Sequence, residues 1–399
     1  MDRLIWLLFN IVMLFHFSLL EDFTYMNKKY ETLFEKVTLK NGVELKNKFA
    51  LGPMTHISSH DDGTISEAEL EYMRLRSKDV GLSISAASNV TDLGKAFPGQ
   101  PSVVRDTDIE GLTRLADVMK ENGAKAILQI HHGGAQAIPR LTPGSDSAGP
   151  SPITIQSFDE TEPHDVREIT EEEVHETIKA FGEATRRAAE AGFDGVEIHG
   201  ANRYLIHQFV SPHFNKRTDE WGKDPYKFAM EVIDAVTKAK EQHANDDFII
   251  GYRFSPEEKE SPGITMEITE ELIGKLIEKP LDYLHVSLSE VHSKTREGKY
   301  ADTERVELIH KWIGGHIPLV GVGSVFTADQ ALRAIEEGNM EMIALGRVML
   351  LDYNFISKIE EGKEDEIFEY FDRDREDKYN LPELLWKQLD NGVYPMPKK

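Results

Sequence analysis

Short apolar runs recur along the chain, and helix signals follow each of them. The runs lie at 49–52, 82–86, 126–130, 194–199, 248–254, 281–286, 318–322 and 341–345. They are continuous rather than alternating, the pattern of strands covered on both faces. Ser66 precedes a helical stretch at 67–80 that carries Glu69 in its first turn. A second runs over 108–122 and stops at Gly123. Thr170 and Glu173 have capping-box spacing before a third, which Gly192 ends. Further helices are predicted over 225–243, 269–279, 305–313 and 327–337. Strand and helix thus alternate eight times, which predicts an α/β chain forming a single (β/α)8 TIM barrel. Asn41-Gly42, between Val37-Thr38-Leu39 and Val43-Glu44-Leu45, predicts an N-terminal hairpin. The third βα connection, 131–169, is long and rich in Gly, Pro and Ser, as lids and binding loops are. The acidic tail, 351–399, is expected to be mostly helical.

At 399 residues, 40% of them hydrophobic, the chain can bury a large core. Its net charge of −24 argues against a nucleic-acid partner and against docking on anionic lipid. It has no cysteine, which excludes disulfides, thiolate catalysis and cysteine-held zinc or iron–sulfur clusters. The segment 4–20 is apolar apart from Asn10, His16 and Ser18, and sits at the short limit for a membrane span, about 17 residues. A signal peptide, a membrane anchor and an upstream start codon are the three readings, with Met26 as the true beginning on the last. The expectation is a leader over 1–25, one barrel domain including the tail over 26–399, and a cytoplasmic protein.

In a parallel barrel the active site forms at the C-terminal ends of the strands. Those ends carry Pro53-Met54-Thr55, Ala87-Ser88, Gln129 with His131-His132, then His199, Asn202 and Tyr204, then Arg253, Gly323-Ser324 and Gly346-Arg347. His199 and Asn202 can donate to one oxygen and Tyr204 adds a phenol, which suits chemistry on a polarised carbonyl. The same three residues can equally hydrogen-bond one another in a loop. The glycines at the last two ends lie where barrels bind phosphate, though a glycine there is also an ordinary turn. Arg253 needs an anionic partner if buried, whether ligand or salt bridge. No His-Glu-x-x-His motif is present, so no metal site is expected.

From Tyr30 to the tail the chain resembles the old yellow enzyme family of FMN-dependent ene-reductases, in its NADH:flavin oxidoreductase branch. The stretches that carry the resemblance are Gly52-Pro-Met-Thr55, Gln129-Ile-His-His132, Glu197-Ile-His-Gly-Ala-Asn202, Tyr204-Leu-Ile-His-Gln-Phe-Val-Ser-Pro212 and Asn215-Lys-Arg-Thr-Asp219. The resemblance implies FMN as cofactor, NADH or NADPH as hydride donor, and an enone-type small molecule as substrate. It places Pro53, Met54, Thr55, Ala87 and Gln129 around the isoalloxazine, and Arg253 near its N1 and C2 oxygen. Gly323, Ser324, Gly346 and Arg347 would hold the phosphate. His199 and Asn202 would bind the substrate oxygen, and Tyr204 would supply the proton. Oligomeric state is left open, with a homo-oligomer allowed.

Two positions depart from the family pattern. Arg203 stands where glycine is usual, which predicts an altered loop or a cation near Tyr204. Ala135 stands where arginine is common. Two other classes compete: a flavin- or phosphate-binding barrel without turnover, acting as sensor or carrier, and a glycosidase using Glu197 and Glu257.

Overall fold

The computed structural model describes residues 26–157 and 162–398. The apolar stretch at 4–20, with its leader, anchor and start-codon readings, lies outside the described residues. Among those residues, no helix is long and apolar enough to cross a membrane.

Eight parallel strands close into a barrel, each beside the next in the chain. In order they are Phe49–Leu51, Leu82–Ile84, Lys125–His131, Gly195–Gly200, Ile249–Phe254, Tyr283–Val286, Leu319–Val322 and Met342–Leu345. The ring closes where Met342–Leu345 pairs with Phe49–Leu51, Ala344 opposite Ala50. Helices pack outside it, so each strand is covered on both faces and reads as a solid apolar run.

The N-terminal hairpin plugs the barrel floor. Gly42, at φ 88°, makes the turn that lets Leu39 N–H reach the Val43 carbonyl at 2.9 Å. Val37, Leu39, Val43 and Leu45 then join one apolar cluster with inward side chains such as Ile84, Ile249 and Met342. That packing closes the N-terminal end and leaves only the C-terminal mouth for ligands.

Helix starts follow their caps. Ser66 accepts from Glu69 N–H, and the Thr170–Glu173 capping box is complete. The helix expected at 269–279 instead spans Met266–Leu276, because Thr269 is not a cap: its hydroxyl is buried and donates to the Pro256 carbonyl at 2.6 Å. The long third connection holds a small sheet of Ala148–Gly149, Ile153–Ile155 and His164–Glu168, the last in the middle. Arg167 ties this sheet down by bonding Asp146 and Glu173, each at 2.6 Å. The tail corrects the expectation of a mostly helical segment. After Glu383–Asp390 it turns at Gly392 and runs non-helically back to the barrel mouth.

Candidate active site

The register of strands three to six sets the floor of the site. Glu197 lies opposite Gln129 on one side, and His199 lies opposite Arg253 on the other. Residues two apart on a strand face the same way, so Glu197 sits one layer beneath His199. Both are buried. Glu197 accepts from Gln129 Nε2 at 2.6 Å, Tyr283 Oη at 3.0 Å and His285 Nδ1 at 2.9 Å. Burial pushes its carboxyl up, but His285, Arg253 and Gln129 outweigh that and hold it below its ordinary value. Glu197 is therefore the buried anion that faces Arg253.

Above this floor is a cavity of about 230 Å³. Pro53, Met54, Thr55, Ala87 and Gln129 line one side; His199, Asn202, Tyr204 and Arg253 line the other. The family resemblance implies all nine of these around the ring or the substrate. His199 Nδ1 accepts from Ala201 N–H at 3.3 Å, which puts the ring proton on Nε2. Burial, then His131 and Arg253, push this imidazole well below its ordinary value, so it is a neutral donor. Asn202 Nδ2 donates to Ser287 Oγ at 3.1 Å and keeps a second N–H. Tyr204 stands edge-on to His131 and His199, with ring centroids 4.2 and 5.1 Å away. Burial pushes its phenol up to about 12, with Arg253 opposing. Its hydroxyl bonds no other group among the described residues, so its proton is uncommitted.

Arg253 Nη2 donates to Ser287 Oγ at 3.2 Å, while its buried Nε has no partner. Burial lowers its affinity for the proton and Glu197 offsets only part of that, leaving a cation with donors to spare at the cavity wall. That fits the electron-rich edge of a flavin. A second cavity, about 310 Å³, is lined by Gly323 and Ser324. At φ 150°, Gly323 is in a region closed to other residues, and a Cβ there would meet Val291 N at 2.5 Å. Arg347 Nη2 donates to Ser324 Oγ at 2.6 Å. Gly346 precedes the helix Arg347–Leu351 with no side-chain cap, so that helix offers free N–H groups. A Cβ on Gly346 would meet Met54 Sδ, in the wall of the first cavity, at 3.1 Å. One anionic residue, Glu290, also lines the second cavity. The donor set fits a phosphate at one end and a flavin ring at the other.

Arg203 does not put a cation on Tyr204. Asn202 and Arg203 both have left-handed backbone, φ 57° and 65°, which turns the chain from strand four into the helix Leu205–Val210. Glycine suits that turn, and a larger residue costs about 1 kcal/mol there. Arg203 offsets the cost by pairing with Glu260 at 3.2 Å and stacking on Phe214. Ala135 is fully buried against Ile155, Val166 and Phe214, where an arginine has no room. Neither proposed glycosidase acid is available: Glu197 is spent in the barrel, and Glu257 pairs with Arg305 at 2.6 Å. His132 Nδ1 accepts from Gly134 N–H at 3.0 Å and His131 Nδ1 bonds Gln100, so the two rings are engaged separately.

Sequence reading missed three groups at the mouth. Ser287 bridges Asn202 and Arg253, and it directly follows strand six, an end that carried no motif. Phe97 and Tyr394 complete the cavity wall. Tyr394 lies in the tail, far from any strand end, and no local signal marks it.

The barrel and the polar residues gathered at its mouth fit a flavin-dependent oxidoreductase. A family model described as the NADH:flavin oxidoreductase / NADH oxidase family matches residues 32–366. The chain belongs to that family. It is 49% identical to a probable NADH-dependent flavin oxidoreductase, YqiG, of Bacillus subtilis, across 94% of this chain and 100% of that one. It is 39% identical to an NADH:fumarate oxidoreductase of Klebsiella pneumoniae, covering 90% of this chain but only 39% of that longer one. Morphinone reductase in complex with tetrahydroNAD shares the fold at TM-score 0.72 and 22% identity, covering 88% of this chain and 97% of that one. The chain is thus an NAD(P)H-dependent flavin oxidoreductase with FMN as its cofactor, and it shares its fold with an old yellow enzyme homologue of Zymomonas mobilis at TM-score 0.70 and 22% identity, covering 82% of this chain and 92% of that one.

Proposed function

We propose that this protein reduces alkenes activated by a conjugated carbonyl, with His199 and Asn202 binding the carbonyl oxygen and Tyr204 supplying the proton. The observation that carries the reading is the uncommitted Tyr204 phenol beside the Nε2–H of His199 on one cavity wall. When bound, the flavin supplies hydride transfer between nicotinamide and the alkene carbon. The chain's own residues do the rest. His199 Nε2 and the second Asn202 N–H converge on one oxygen and are pre-oriented by Ala201 and Ser287, so charge developing there meets fixed donors. Tyr204, neutral at any ordinary pH, gives its proton to the α-carbon. Pro53, Met54, Thr55, Ala87 and Gln129 seat the ring; Arg253 faces its electron-rich edge; Gly323, Ser324, Gly346 and Arg347 hold the phosphate. A relative of 36% identity bears the name NADH:acrylate oxidoreductase, in Vibrio harveyi, and spans well beyond this chain, which covers 36% of it. That supports a conjugated carbonyl as the substrate class. The direct test is stopped-flow reoxidation of the NADH-reduced protein by cyclohex-2-enone. A rate no faster than the enone-free control would dismiss the reading.

A further inference from the structure

Glu69 stands three residues after Ser66, the spacing of a capping box, yet only half of the box is made. Ser66 Oγ accepts from Glu69 N–H at 3.1 Å, but Ser66 N–H does not donate back to the Glu69 carboxylate. At Thr170–Glu173 and Thr327–Gln330 both halves are present. The Glu69 carboxyl is turned instead into the loop that follows strand one, where it is fully buried. Its Oε2 accepts from Ser59 Oγ, and its Oε1 lies 3.4 Å from His56 Nε2. Neither that oxygen nor either nitrogen of the buried His56 ring has a hydrogen-bond partner. Among the described residues no lysine or arginine pairs with Glu69. Between the two residues that Glu69 touches, Ile57 has left-handed backbone, φ 52°. A β-branched residue rarely takes that conformation and persists in it only where its surroundings leave no other. Gly99 closes the opposite side. Ser59 N–H donates to the Gly99 carbonyl at 3.2 Å, and a Cβ on Gly99 would meet the Ile57 carbonyl carbon at 2.9 Å. The strained turn is thus clamped between Gly99 and Glu69, one residue after Thr55 in the cavity wall. The remaining groups around it are fixed. Tyr72 packs on His56 at 4.9 Å, and Arg76 lies over the Tyr72 ring at 4.1 Å. Arg76 also donates to the Met349 and Tyr379 carbonyls, at 2.9 and 2.8 Å. From the tail, Tyr394 donates to the Thr55 carbonyl at 2.8 Å.

We propose that Glu69 is a positioning residue for the flavin ring: through His56 and Ser59 it holds the strained turn behind Thr55, and it does so only while it carries a proton. The proposal rests on the placement of Thr55 against the ring. With the proton on, Glu69 donates to His56 Nε2 and the contact closes. With it off, a bare carboxylate is shut in with one hydroxyl and a neutral imidazole, and burying a charge on those terms is costly. Burial raises the Glu69 carboxyl to about 7, with Ser59 opposing, so the proton comes and goes near neutrality. Burial, then Arg76, lowers His56 to about 3, so the ring does not supply a cation. The turn therefore holds Thr55 firmly below neutral pH and slackens above it.

The test is FMN binding to the full chain stripped of flavin, read by the quenching of FMN fluorescence at pH 6 and pH 8.5. Glutamine in Glu69→Gln keeps the shape and a donor for His56 and cannot ionise. At pH 8.5 wild type binds about tenfold more weakly than Glu69→Gln, while at pH 6 the two agree within about twofold. The FMN phosphate also titrates near pH 6, but equally in both proteins. Ser59→Ala removes the bond that opposes burial, so its loss of affinity begins at a higher pH than in wild type. Glu71→Gln, exposed on the same helix, follows wild type at both pH values. A merely structural role for Glu69 gives the same pH dependence in wild type and Glu69→Gln, and that result overturns the proposal. If Glu69→Gln does not fold, the Ser59→Ala midpoint decides, and a midpoint equal to wild type overturns the proposal equally. Wild-type flavin affinity and reduction potential in Thr55→Ala reject instead the placement of Thr55 on the ring. The flavin-free protein gives a second readout. Glu69 contributes stability that is fully present below its ordinary value of 4.5 and is lost as pH rises through about 7. The urea midpoint of wild type falls over that range by more than that of Glu69→Gln, and parallel falls overturn the proposal.

Discussion

Glu197 and Gln129 face each other on adjacent barrel strands, joined by a 2.6 Å hydrogen bond from the amide to the carboxylate. The contact lies just under the cavity and decides how two expected site residues behave. Gln129 is oriented by it, and Arg253 acquires its counter-charge from the same carboxylate.

Glu197→Gln keeps the shape and removes the charge, which strands Arg253 as a buried cation. The carboxylate also loses its hydrogen bonds from Gln129, Tyr283 and His285, and a hydrogen bond to a charged group is worth about 1.5–3 kcal/mol. The urea midpoint of the flavin-free protein is therefore expected to fall markedly. The pH sign follows from the lowered carboxyl of Glu197. Its stabilisation is fully present above the ordinary value of 4.5 and is lost as pH falls through the lower folded value. Wild type should lose stability across that acid window by more than Glu197→Gln does. Parallel acid limbs in the two proteins would count against the assignment.

Arg253→Ala removes the cation at the cavity wall. The expected result is flavin loss, or a lower flavin reduction potential in whatever fraction stays bound, because negative charge on the reduced ring is no longer offset. Flavin content by absorbance and potential by dye equilibration measure the two. Wild-type values for both would remove Arg253 from the site.

Tyr204→Phe separates the half-reactions. Nicotinamide oxidation needs no phenol proton, so flavin reduction by NADH stays within a few-fold of wild type. Reoxidation by cyclohex-2-enone slows by roughly 10²–10⁴-fold, the range for a positioned general acid. His199→Ala and Asn202→Ala are expected to differ by weakening both halves, on the proposal that the nicotinamide carboxamide uses the same two donors. Stopped-flow absorbance reads each half, and an unchanged enone rate in Tyr204→Phe shows that the proton comes from elsewhere.

The pH profile of reoxidation should be level between pH 7 and 10. Tyr204 stays protonated there because burial has raised its phenol to about 12, and His199 stays neutral because burial has lowered its imidazole. A titration centred near pH 10 that disappears in Tyr204→Phe would show that the phenol is not raised.

We propose that residues 26–399 carry the whole flavin-binding unit. The first described contacts, Tyr30 Oη to Asp329 at 2.6 Å and Asn27 capping the short helix Lys28–Phe34, already belong to the barrel. A chain begun at Met26 is expected to be soluble and to hold one FMN per chain. An insoluble or colourless product would reject that boundary.

Much of this molecule was legible in one dimension because its signals are local. Continuous apolar runs, Ser66, Thr170 and the Asn41-Gly42 turn each act within a few residues, and a parallel barrel has one end at which strands finish. Polar residues after those strands, from Thr55 to Arg347, therefore had to share a mouth. The sequence could not say which of them would be spent on one another. Glu197 lies in a strand like its neighbours, yet barrel closure brings Gln129, Tyr283 and His285 onto it from two other strands. Arg203 looked like a cation beside the acid, and only folding showed that Glu260 draws it away. Tyr394 is the extreme case. Its place against Thr55 depends on where a non-helical tail lands after the whole barrel has closed, and no period, cap or turn encodes a contact of that range.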